Sequence, residues 1–233
     1  MATKKLNGTV IVTYRCNARC TMCNRYKAPS KPEEEISLET IRKLPPMYFT
    51  NITGGEPFIR TDLKDIVREL RKKSDRIVIS TNGFFTDRIL DLCKEFPDIG
   101  IRISIEGLEQ TNNEIRGLAD GYNRGYTTLK KLREMGMKDV GFGMTVQDKN
   151  APDLVPLYRL SDEMGMEFAT ATLHKLLLRG GQEHHLRPPH GGEELRGPHQ
   201  RAAAEQFAQK VVPRLLQPRP HQLPLRPEAS AAL

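Results

Sequence analysis

Three cysteines, Cys16, Cys20 and Cys23, crowd into the eight-residue run Cys-Asn-Ala-Arg-Cys-Thr-Met-Cys. Thiolate sulfur is a soft donor, so three thiols on one short segment make a metal site. Structural zinc wants four donors. The fourth cysteine, Cys93, lies on the apolar face of a distant helical segment, and no histidine occurs before position 174. A cubane iron-sulfur cluster fits better, because three thiolates leave one iron open for a substrate or cofactor. Wound into a helix, the same cysteines would share one face at i, i+4 and i+7 and could serve packing alone. Against that stand the polar residues Asn17, Arg19 and Thr21 and the β-branched run just upstream, which read as a loop following a strand.

Three further segments carry small polar residues where β-branched runs end. Thr53-Gly54-Gly55-Glu56-Pro57 pairs two glycines, whose backbone can approach a polar ligand closely and receive an ammonium or carboxylate group. Taken alone it is also an ordinary tight turn. Ser80-Thr81-Asn82-Gly83 and Ser104-Ile105-Glu106-Gly107 place hydroxyl, amide and carboxylate groups at equivalent positions. Glu56 and Glu106 could form an acid/base pair, but solvated or hydrogen-bonding roles at a rim suit them better, since neither stretch has the context of a hydrolase site. Cys93, at an apolar helical position, reads as a small buried hydrophobe.

The elements that must position these groups follow from periodicity. Strands are predicted at Thr9–Thr13, Tyr48–Thr53, Arg76–Ser80, Gly100–Ile105, Val140–Val146 and Glu167–Leu173. Between them, Leu63, Ile66, Val67 and Leu70 fall at i, i+3, i+4 and i+7, and Ile89, Leu92, Cys93 and Phe96 repeat that helical spacing. Tyr126, Leu129 and Leu132 mark a further helix closing at Gly136, while Ser37 and Asp62 are candidate N-caps. Strands alternating with helices predict an α/β fold, a partial or full (β/α)6 TIM-like barrel of parallel strands. Functional groups in such folds gather at the carboxyl ends of the strands.

The 233 residues suit one domain with an appendage. No apolar run approaches the roughly 18 to 20 residues that span a bilayer, and Met1–Asn7 leads into no signal-peptide core. A cytoplasmic protein without a membrane partner is therefore expected. Four unevenly spaced cysteines do not make a disulfide scaffold. The net charge of +7, from 36 Lys+Arg against 29 Asp+Glu, would suggest nucleic acid if it sat on the core. Instead, residues 174–233 hold nine Lys+Arg against five Glu, all six histidines and eight of the sixteen prolines, with no Ile, Asp, Asn, Thr, Met, Tyr or Cys. No nucleic-acid partner is expected on that distribution. The composition divides the chain into a core, 1–173, and an irregular low-complexity tail, 174–233, with one short helix around Gln200–Val212. An out-of-frame reading of a GC-rich gene produces such a composition, and a natural interaction tail is the alternative. The four histidines between 184 and 199 read as chance composition rather than a metal site.

In this order and spacing, the cysteine loop and strand ends resemble the radical S-adenosylmethionine (SAM) superfamily. The branch is that of molybdenum-cofactor, pyrroloquinoline-quinone and peptide-maturation enzymes, and the resemblance covers about Leu6 to Leu173. It implies that Cys16, Cys20 and Cys23 ligate a 4Fe-4S cluster, and that Gly54, Gly55, Glu56 and Pro57 bind the methionine amino group of SAM. Thr81, Asn82 and Ser104 are implied contacts to its ribose and carboxylate. Arg116 either reaches the carboxylate or is structural, and Met22 stands where the family has an aromatic residue beside adenine. Gly141-Phe142-Gly143 either lets adenine approach the fifth strand or marks a bulge or small-residue packing. The implied activity is reductive cleavage of SAM to a 5′-deoxyadenosyl radical that abstracts hydrogen from a substrate, in an oxygen-sensitive enzyme served by a flavodoxin- or ferredoxin-type reductant. No protein nucleophile or general base is required for that step. A peptide or small biosynthetic intermediate is the implied substrate class. The family's sixth helix and cysteine-rich C-terminal module are not visible in this sequence. Two alternatives follow: an inactive product of a disrupted gene, and an iron-sulfur or metal-binding module without SAM chemistry.

Overall fold

The structure, a computed structural model, describes residues 5–172. The tail, with its histidines and the short helix predicted there, and the end of the sixth predicted strand at Leu173 lie outside the described residues. Within them the chain alternates strand and helix: β1 (Leu6–Ile11), α1 (Leu38–Lys43), β2 (Met47–Thr53), α2 (Leu63–Arg71), β3 (Ser74–Thr81) and α3 (Thr86–Glu95). It continues through β4 (Gly100–Ser104), α4 (Glu109–Arg116), α5 (Gly121–Glu134), β5 (Val140–Val146), α6 (Leu154–Glu163) and β6 (Glu167–Thr172). All adjacent pairs are parallel, and the strand order is β1-β2-β3-β4-β5-β6, with β1 and β6 the outer strands among the described residues. The sheet thus curls into a half-barrel rather than closing.

The two faces of the sheet differ in chemistry because strand side chains alternate with period two. One face carries Val10, Ile52, Ile77, Ile79, Ile101, Ile103, Phe142 and Met144, all buried. Helices supply the other half of that core: Leu63, Ile66, Val67 and Leu70 from α2, Ile89, Leu92 and Cys93 from α3, and Leu129 and Leu132 from α5. The predicted apolar stripes are therefore the buried ones. The opposite, concave face reads Thr53 and Asn51 on β2, Ser80 on β3, Arg102 and Ser104 on β4, and Gly143 and Thr145 on β5, as the strand registers require.

Helix ends follow local rules with one exception. Ser37 caps α1 by accepting from Thr40 N at 3.1 Å. Gly136, at φ +81°, closes α5 with two reversed hydrogen bonds, Gly136 N to Arg133 O and Met137 N to Leu132 O. Asp62, expected to cap α2, makes no side-chain cap because the Arg60 guanidinium grips both its oxygens at 2.8 and 2.6 Å. β1 runs Leu6–Ile11 rather than Thr9–Thr13, since Val12 and Thr13 have already turned into the cysteine loop. The Gly141-Phe142-Gly143 segment holds an unbroken register with β6, so it is not a bulge. Gly141 is needed for packing, because a Cβ there would overlap the Glu167 carbonyl.

At the amino ends of the strands the concave face carries an ion cluster. Asp139 accepts from Arg102 at 2.6 Å and Arg76 at 3.0 Å, and Arg102 also donates to Glu167. Burial pushes the Asp139 carboxyl up, but hydrogen bonds and charge from Arg76 and Arg102 outweigh it and hold the group below its ordinary range. The stability it contributes is complete above its unfolded-chain value of about 3.9 and is lost as pH falls through the lower folded value. Asp139→Asn is expected to lower stability at neutral pH by about 2 kcal/mol and to flatten the loss on acidification. Urea unfolding at pH 7 and below checks both, and a wild-type midpoint at pH 7 would refute the assignment.

Candidate active site

A cavity of about 280 Å³ opens at the carboxyl ends of the strands, near the lower end of the volumes that hold small ligands. Cys16, Cys20, Met22 and Cys23 line one wall, and the last concave-facing residues of four strands, Thr53, Ser80, Ser104 and Thr145, line the other. Gly54, Gly55, Thr81, Asn82, Glu106 and Arg116 complete the rim. The structure therefore brings together the cysteine loop and the strand ends that sequence alone could only align in order.

The cysteine loop is held from α4. Arg19 N donates to Arg116 O at 3.0 Å and Thr21 N to Ile115 O at 2.8 Å. The Arg116 guanidinium reaches back to Cys20 Sγ at 3.4 Å and to Ser104 O at 2.9 Å, and it lies 3.5 Å from Glu106. Burial works against its charge, yet Glu106, Cys20 and Glu56 outweigh that and raise its pKa. Burial likewise pushes the Cys16 thiol up to about 11, so metal ligation there must displace a proton.

The donor set discriminates between metals. Among the described residues no three Cys, His, Asp or Glu side chains converge on a single-ion site, whereas structural zinc would need its sulfurs about 2.3 Å from one centre. All three thiols nonetheless face one cavity, which fits a group larger than an ion. Two buried polar atoms lack partners among the described residues, Asn17 Nδ2 in the cysteine loop and Arg116 Nε at the rim. Such atoms are costly unless an acceptor arrives. Cys93 does not line the cavity; it is buried in the core beneath α3, and burial pushes its thiol up to about 12.

The glycine turn packs the exits of two strands together. Gly55 N donates to Thr13 O at 2.7 Å and Glu56 N to Arg15 O at 2.8 Å. A Cβ on Gly54, which sits at φ +151°, would overlap the Thr13 carbonyl, and one on Gly55 would overlap that of Arg15. Both glycines therefore let the exit of β1 lie directly against the end of β2, while still facing the cavity. Glu56 and Pro57 sit behind the wall rather than on it. Glu56 is 0% exposed, so it is not a solvated rim residue. Its carboxylate accepts from Thr81 Oγ1 at 2.7 Å, Asn82 N at 2.8 Å and Phe58 N at 3.1 Å, and burial raises its pKa against those bonds. Glu106, 1% exposed, is likewise engaged, accepting from Thr145 N at 2.7 Å. Burial raises its pKa and Arg116 opposes the rise. The two glutamates hold the walls and are not arranged as an acid/base pair.

Asn82 ties the wall together, donating to Asn17 Oδ1 at 2.8 Å while its own oxygen accepts from Phe84 N. Neither Gly141 nor Gly143 is among the residues lining the cavity, although Gly143 faces the concave side with room before it for a Cβ. Sequence reading placed Thr53 and Ser80 in the strand-end segments without giving them a role, and missed Thr145. The available signal was strand parity, since each is the last residue of its strand on the face shared with Ser104.

The fold and cavity are those of a parallel half-barrel with three thiols facing one space at the carboxyl ends of its strands. The family model described as the Radical SAM superfamily matches residues 10–160, and the chain belongs to that superfamily. Its members use SAM and a 4Fe-4S cluster. Among curated relatives, the chain is 30% identical over 164 residues to an Fe-coproporphyrin III synthase of Methanosarcina barkeri, covering 65% of this chain and 40% of that protein. It is 25% identical over 166 residues to a probable GTP 3',8-cyclase of Metallosphaera sedula, covering 68% and 52%. The matched region thus spans about half or less of these relatives. Among solved structures, SuiB of Streptococcus suis superposes with a TM-score of 0.67 at 16% identity, covering 90% of this chain and 47% of that one. That likeness establishes the partial-barrel fold. Among the described residues no helix is long and apolar enough to cross a membrane.

Glu56→Gln replaces one acceptor oxygen by an amide facing backbone and hydroxyl donors. It is expected to cost about 2 kcal/mol in urea unfolding, and a wild-type midpoint would show that the carboxylate does not hold the end of β3.

Proposed function

We propose that residues 1–173 form the core of a radical SAM enzyme in which Cys16, Cys20 and Cys23 hold a 4Fe-4S cluster and the adjoining strand ends hold SAM. The observation that carries this reading is the single cavity shared by the three thiols and by the ends of β2, β3, β4 and β5. One-electron cleavage of the SAM sulfonium, with hydrogen abstraction from a substrate, is the chemistry these groups supply when bound.

The chain's own residues bind, orient and exclude. Gly54 and Gly55 present backbone to the methionine amino group, while Thr81, Asn82 and Ser104 face the ribose and carboxylate. The unpartnered Nε of Arg116 supports a contact to the carboxylate as well as its structural bonds to Cys20 and Ser104. Met22 gives adenine a polarizable apolar surface. Glu56 and Pro57 act from behind, holding the turn in place. A flavodoxin- or ferredoxin-type reductant supplies the electron, and a cytoplasmic setting keeps the thiols reduced. A peptide substrate is supported by the peptide-bound structure of SuiB, whose precursor peptide is SuiA. A small biosynthetic intermediate is supported by the likeness to the synthase and cyclase relatives.

Anaerobic reconstitution of the full chain with ferrous iron and sulfide is expected to yield about four irons and four sulfides per chain. The reduced protein should show an EPR signal that changes on adding SAM. Alanine at Cys16, Cys20 or Cys23 should abolish iron uptake, and Cys93→Ala should not. Failure of the intact chain to take up iron would overturn the reading, and a cluster indifferent to SAM would leave an electron-transfer module in its place.

A further inference from the structure

After the cysteine loop the chain returns beneath the exit of β1 and delivers one buried carboxylate there. The side chain of Glu35 is 3% exposed. Its oxygens accept from Arg15 Nε at 2.8 Å, Arg15 Nη2 at 2.9 Å, Ser30 Oγ at 2.9 Å and Thr13 Oγ1. Three of these donors meet at one carboxylate oxygen and the fourth, Arg15 Nη2, at the other. Arg60 stands 3.7 Å away as a second cation and spends its donors on Val12 O, Ile36 O and Asp62. Burial pushes Glu35 up, but the bonds from Arg15, Thr13 and Ser30 outweigh it and hold the group below the usual carboxylate range.

The residues that Glu35 gathers are the two whose backbones seat the glycine turn, because Thr13 O accepts from Gly55 N and Arg15 O from Glu56 N. Thr13 and Arg15 are also tied to each other, Arg15 N donating to Thr13 Oγ1 at 2.9 Å. The cysteine loop has further anchors of its own, at Ile115 and Arg116 of α4 and, through Asn17, at Asn82. Its place in the cavity therefore does not rest on Glu35 alone. Glu35 does not itself line it.

We propose that Glu35 is a positioning residue for SAM: by fixing Thr13 and Arg15 it sets the place of the Gly54-Gly55 turn opposite the cysteine loop, so SAM binding depends on it and cluster ligation does not. The inference rests on the assignment of cluster and SAM to this cavity. It commits the loop segment Ser30–Glu35, which touches neither group, to the affinity for one of them.

The test is a SAM titration of the cluster EPR signal in the full chain, reconstituted anaerobically, with iron and sulfide content measured alongside. Glu35→Gln keeps the shape and removes the charge. It is expected to retain the wild-type iron and sulfide content and SAM-free spectrum, while the Kd for SAM rises about tenfold. Arg15→Lys keeps the charge and removes the fork, and the same split is expected to a smaller degree. Because the Arg15 side chain is 33% exposed, that variant decides the matter if Glu35→Gln does not fold. An unchanged Kd, or loss of the cluster in step with loss of SAM affinity, would overturn the proposal. A wild-type spectrum indifferent to SAM would instead remove the assignment beneath it, and the proposal with it.

Discussion

Everything at the catalytic face depends on two backbone hydrogen bonds, Gly55 N to Thr13 O and Glu56 N to Arg15 O. They weld the exit of β1 to the end of β2 where the ladder between the strands has stopped. A side chain on either glycine would drive its Cβ into a carbonyl of residue 13 or 15, so the contact exists only because neither residue has one. Once it is made, the chain leaves β1 beside the end of β2, and Glu56 is carried inward to bind the end of β3. Through Asn82 and Asn17 the end of β3 then returns to the cysteine loop. The circuit closes on itself, which is how a loop rich in polar residues holds three thiols toward one space without secondary structure.

Buried polar groups are tolerated here because nearly all are paired. Glu56 and Glu106 would each be costly as lone charges in a low-dielectric interior. Glu56 instead collects two backbone donors and a hydroxyl, and Glu106 one backbone donor and the nearby Arg116 guanidinium. The two atoms left without partners, Asn17 Nδ2 and Arg116 Nε, belong to the cysteine loop and the cavity rim. An interior otherwise so fully satisfied makes those two positions informative about where a bound group completes the structure.

Much of this was legible in the amino-acid sequence. The six strands and the α2 and α3 stripes follow from periodicity, because a parallel sheet covered by helices must bury one face of each element. The cysteine spacing and glycine pair are legible because few other residue types can do their work. What escaped has physical reasons too. α4, Glu-Gln-Thr-Asn-Asn-Glu-Ile-Arg, buries only Asn112 and Ile115 and so has no apolar stripe to read. α6 carries the spacing Leu154, Leu157, Tyr158 and Ser161, but a proline at its third position and a serine on the buried face disguise it. Glu35 sits among charged residues, Pro-Glu-Glu-Glu, that read as solvent-exposed. Only the tertiary approach of Arg15 and Thr13 separates it from its two neighbours. The Asp62 cap failed for a related reason: a guanidinium two residues earlier competes for the same oxygens and wins.

The ion cluster of Arg76, Arg102, Asp139 and Glu167 stands at the opposite end of the same concave face. Catalytic groups in parallel barrels gather at one mouth, and the other end is left to stability. Here the far end carries salt links among Arg76, Arg102, Asp139 and Glu167. The two ends of the concave face therefore answer to different demands: one presents thiols and small polar groups to a cavity, and the other spends its polar groups on one another.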